Sequence, residues 1–81
     1  MTKHTHSFVE TYKGLVGFGY DRQTDENTII YYLQKFSDDE VMKKIINKMS
    51  DDELSEVFSL ITRALKTYFS ESDYHKLFLK D

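Results

Sequence analysis

The chain has 81 residues, with 11 Lys plus Arg against 14 Asp plus Glu, a formal charge of −3 with His neutral. It has no Cys, Pro or Trp and three Gly, and its residues are 40% hydrophobic and 31% charged. That balance excludes a disordered tail, a disulfide scaffold, a Cys-ligated metal centre and a cysteine nucleophile, and the length predicts one helical domain over 1–81, with 1–6 flexible.

In chain order, the first element is predicted over 8–16. Phe8, Tyr12, Leu15 and Val16 recur at helical spacing. Ser7 and Glu10 make a capping box, in which the Ser side chain accepts a backbone N–H three residues on and the acid reaches back. The stripe ends at Gly17, the usual stop just past a helix. The three glycines fall within Gly14–Gly19, and the long connection Gly17–Thr24 carries the aromatics Phe18 and Tyr20.

A second helix is predicted over 25–36, with Ile29, Tyr32, Leu33 and Phe36 on its core face. A third is predicted over 38–49 from Val41, Met42, Ile45, Ile46 and Met49, opened by the box Ser37…Glu40. The fourth, over 51–69, is the longest and would span about 28 Å at 1.5 Å per residue. It opens with Ser50…Glu53. A short fifth, over 71–79, opens with Ser70…Asp73. Hydrophobic staples pair Phe36 with Val41, Met49 with Leu54 and Phe69 with Tyr74. Acids open the third and fourth helices and bases follow, as the helix dipole favours. The repeated Ser-Asp-Asp-Glu at 37–40 and 50–53 is therefore read as two helix starts rather than a recognition motif. Joints this short favour corners over hairpins. The expected fold is all-α, a compact array of about five short helices with sharply angled corners around the long fourth one. Most aromatics are expected in its core.

Chemistry-bearing patterns are few. Gly14-x-x-Gly17-x-Gly19 lacks the Gly-Lys-Ser/Thr of a phosphate loop and the basic flanks and strands of a KH clamp. His4-x-His6, with Glu10, offers too few fixed ligands for a metal site beyond weak chelation, so no metal or other cofactor is expected. His75 has Glu71 four residues earlier, an ordinary surface pair, and Asp38 with Asp39 opens a solvated helix. No nucleophile, base and oxyanion set emerges, and the chain is not expected to be an enzyme.

Surface apolarity remains. Ile29 through Leu33 are consecutive, and at 3.6 residues per turn they cannot share one face. Either the second helix is buried all round, or Ile30 or Tyr31 joins an exposed patch, with Phe18 and Tyr20 as further candidates. Leu60 or Phe69 raises the same question in the fourth helix.

Met49-Ser50-Asp51-Asp52-Glu53-Leu54, with Phe58 and Arg63, resembles part of the Hha/YmoA family of small helical nucleoid-associated regulators. More of the chain, in His6–Tyr12, Gly14–Gly19 and Tyr74–Lys80, resembles short bacterial "cytoplasmic protein" sequences. The second resemblance implies a bacterial cytosol and transfers no functional residue.

The function expected is a non-enzymatic protein-interaction or regulatory module of the bacterial cytoplasm, with a protein partner or a second copy. The alternatives are a nucleic-acid-associated regulator acting through a protein, and a small-ligand or metal binder at Gly17–Thr24. Direct nucleic-acid contact is not expected at −3, since it would need Lys43, Lys44, Lys48, Arg63 and Lys66 on one face. No stretch approaches the roughly 20 apolar residues of a membrane span, and no apolar run follows the N-terminus as in a secretory leader.

Overall fold

The structure, a computed structural model, describes residues 4–81. It is all-α: α1 (Phe8–Thr11), α2 (Arg22–Phe36), α3 (Asp39–Ile45), α4 (Asp51–Tyr68) and α5 (Glu71–Asp73). A single 3-10 turn, Ile46–Lys48, follows α3, and α5 runs into a wider π-helical segment, Tyr74–Leu79. Among the described residues there is no strand. The fourth helix is the longest, at 18 residues. The chain divides into two units, Thr5–Asn47 and one built on Lys48–Asp81.

In the unit Thr5–Asn47, α1 is shorter than the predicted 8–16. Ser7 precedes it without making a side-chain cap, and the backbone turns extended at Tyr12. The Tyr12 phenol instead folds back and donates to the Leu15 carbonyl at 2.8 Å. Gly14 makes that possible, because a Cβ there would collide with the Tyr12 ring. Stacking of Phe8 on Tyr12, centroids 4.9 Å apart, fixes the same fold-back. Gly17 is thus no helix stop. The φ of Gly19 is +100°, a region that favours glycine.

The second helix starts at Arg22, three residues before its predicted start. Asp21 is its cap, its side chain accepting the Thr24 N–H at 2.8 Å. That backbone hydrogen bond, with one from the Thr24 side chain, lowers the Asp21 pKa below the ordinary aspartate value. The capping contribution is complete above the ordinary value and is lost as pH falls through the lowered one.

The segment before α2 is strapped along it by polar bonds. Thr28, only 4% exposed, accepts the Gly17 N–H at 3.0 Å and donates to the Gly17 carbonyl at 2.9 Å. Asp25 accepts from the Gly19 N–H at 2.7 Å, and the Gln34 side chain accepts from the Val9 N–H at 3.0 Å. Tyr31 packs on Tyr12 with centroids 5.9 Å apart, and the Lys35 ammonium lies 5.1 Å above the Tyr31 ring. The inward face of α2 is therefore Thr28, Tyr31 and Gln34. Of the expected core face, Ile29, Tyr32 and Leu33 are exposed and Phe36 is half-buried. The segment packed here carries glycines and backbone polar groups, so it needs hydrogen-bond partners rather than aliphatic surface. The box at Ser37 is also displaced: Ser37 closes α2, and Asp38 caps α3 by accepting from the Glu40 N–H at 2.9 Å.

In the unit built on Lys48–Asp81, both predicted boxes form. Ser50 accepts from the Glu53 N–H at 3.1 Å, and the Glu53 carboxylate accepts from the Ser50 N–H at 2.9 Å. Ser70 and Asp73 repeat the arrangement at 3.1 Å and 3.4 Å. The chain is extended at Phe69, ending α4. Lys80, at φ 58°, closes the π-helical segment by donating its N–H to the His75 carbonyl at 2.7 Å.

No apolar residue among those described is buried. The aromatics expected in a core are half-buried at best, and Phe18, Tyr20, Tyr32, Phe58, Tyr68 and Phe78 are exposed.

Candidate functional site

Four surface features carry the residues singled out from the sequence. The first is a polar cleft of about 740 Å³ in the unit Thr5–Asn47, lined by His6, Glu10, Gln34, Ser37, Asp38 and Asp39 among others. The His6 Nε2 lies 2.9 Å from the Ser37 hydroxyl, and that hydroxyl lies 3.0 Å from the Gln34 carbonyl. A hydroxyl has one proton to give. The proton goes to the carbonyl or to the imidazole according to the His6 tautomer. The pair is built as a strap tying the chain before α1 to the end of α2. The segment expected to be flexible, 1–6, falls partly on residues outside the described ones, and His6 within it makes the contact to Ser37. Among the described residues, no group of three or more His, Asp or Glu is placed to hold a metal ion.

The second feature is a recess of about 450 Å³ along α2, shared by Phe18, Arg22, Asp25, Glu26, Ile29 and Ile30. It joins two residues that the sequence proposed for an interaction surface, Phe18 and Ile30, and both are exposed. The other two lie elsewhere. Tyr31 is half-buried on the face toward Tyr12. Tyr20 is exposed, with its ring edge against Gly17, where a Cβ would meet it at 2.7 Å. The loop Gly17–Thr24 is thus pinned by Thr28 and Asp25, and its backbone N–H groups at Gly17 and Gly19 are already occupied.

The third is an apolar groove of about 340 Å³ where α4 meets α5, lined by Leu65, Phe69 and Tyr74, with Lys66 and Glu71 at its edge. Both rings of the expected staple, Phe69 and Tyr74, border it. No sequence signal marks this groove beyond that staple. Further along, His75 turns to Asp81, Nδ1 to Oδ1 3.2 Å, rather than to the Glu71 expected from spacing.

The fourth is the outer surface of α4 itself. Leu54, Val57, Phe58, Leu60, Ile61 and Tyr68 are all exposed, Phe58 by 68% and Tyr68 by 79%. Tandem bases on α4 are limited to Arg63 and Lys66, and Lys43 lies 3.9 Å from Glu40. No helix among the described residues is long and apolar enough to cross a membrane.

Compared with models of known protein families, with curated proteins and with solved structures, the chain matches none. Neither resemblance read from the sequence is extended by these comparisons, and no residue role is carried over from a relative.

Proposed function

We propose that the protein is a non-enzymatic interaction module whose apolar helix faces are completed by a protein partner. The observation that carries this reading is the set of large apolar side chains left exposed on α2 (Ile29, Tyr32, Leu33) and α4 (Val57, Phe58, Ile61), while no apolar residue among those described is buried. Contiguous apolar surface of this kind marks binding sites on soluble domains. The cysteine-free sequence supports a reducing, cytoplasmic setting.

Affinity capture with the full chain as bait tests the reading. The parent is expected to retain a protein partner that Leu33→Glu or Phe58→Glu loses, with circular dichroism unchanged. Equal capture by parent and both variants would overturn it.

A further inference from the structure

We propose that the partner covering α4 is a second copy of this chain, docked antiparallel along the same stripe; the proposal rests on the interaction-module reading and names its partner. Three features of α4 point to it. The first is spacing. Leu54, Val57 and Phe58 precede Ile61 by seven, four and three residues, and Ala64, Leu65 and Tyr68 follow it by three, four and seven. The stripe is symmetric in spacing about Ile61, so a two-fold axis through Ile61 sets apolar position on apolar position along its whole length. With Ile61 on the axis, Ile61 meets Ile61, Val57 meets Leu65, Leu54 meets Tyr68, and the large ring of Phe58 falls opposite the small Ala64. Alternation of large and small is what lets two helices interdigitate.

The second feature is exposure. Of these residues only Leu65 is half-covered; the others stand in solvent along a helix of about 27 Å at 1.5 Å per residue. An amphipathic helix gains its stability from packing that face, not from propensity alone.

The third is charge. Asp51, Asp52, Glu53 and Glu56 precede Ile61, and Arg63 and Lys66 follow it. Among the described residues none of these six charges has an ion-pair partner, although Glu53 serves the cap. With Ile61 on the axis, antiparallel docking sets Glu56 of each α4 opposite Lys66 of the other and opposes the two helix dipoles. Parallel docking would lay acid on acid. Exposed charges contribute little affinity but select orientation.

Sedimentation equilibrium of the full chain over a wide concentration range tests the proposal together with cysteine cross-linking, for which the cysteine-free sequence is a clean background. The parent is expected to sediment as a dimer. Ile61→Glu, which sets two carboxylates face to face on the axis, should weaken dimerisation by about a hundredfold or more, while Ile61→Leu leaves it intact. Ile61→Cys should oxidise to a covalent dimer. Leu54→Cys alone should not, whereas an equimolar mixture of Leu54→Cys and Tyr68→Cys should. A parent that stays monomeric, an Ile61→Glu chain that still dimerises, or self-cross-linking by Leu54→Cys would each overturn the proposal. If the chain is monomeric and Phe58→Glu still loses a captured protein, the homodimer fails while the interaction-module reading stands.

Discussion

Thr28 shows how one hydroxyl can position a whole loop. It is the single buried polar residue among those described; its hydroxyl accepts the Gly17 N–H and donates to the Gly17 carbonyl. Thr28→Val keeps the shape and removes both bonds, leaving a partly buried N–H and carbonyl unpaired. The expected loss is roughly 1–3 kcal/mol, read as a lower denaturation midpoint, with Thr28→Ser retaining most of the parent stability. If Thr28→Val matched the parent, the strap would contribute nothing. In the sequence Thr28 is an inconspicuous residue in a polar stretch. Its partner lies eleven positions away, across a chain reversal that no local pattern encodes.

At the scale of elements, capping separates what adjacent residues decide from what the neighbourhood decides. The boxes at Ser50 and Ser70 form as their sequences predict, because all four groups lie within one turn. Ser37…Glu40 has the same pattern and does not form. Ser37 is held instead by Gln34 and His6, and Asp38 takes the cap. Ser50→Ala is therefore expected to destabilise by about 1 kcal/mol, while Ser37→Ala leaves α3 formed and frees the chain at His6. Chemical denaturation and the His6 side-chain NMR signals distinguish these outcomes. An equal loss of α3 and α4 helicity would contradict the assignment. The early start of α2 at Asp21 was also within reach of the sequence: an Asp three residues before Thr24 is a cap signal, overshadowed by the apolar stripe that begins later.

For the whole molecule, the outcome turns on which face of each helix is covered. The structure covers Thr28 and Tyr31 on α2 and leaves Ile29, Ile30, Tyr32 and Leu33 in solvent. Ile30→Glu should therefore leave the denaturation midpoint near that of the parent. Tyr31→Glu should lower it, since it removes the ring between Tyr12 and Lys35; the reverse ranking would mean the other face is the covered one. The sequence by itself determined the all-α class, the long α4 and its capped start, because helical period and capping act over three to seven neighbouring residues and need no tertiary partner. Only the tertiary structure decided the short α1, the inward face of α2 and the contact of His6 with Ser37. Each depends on residues brought together across the chain, where one hydrogen bond or ring contact outweighs the small local preference it displaces.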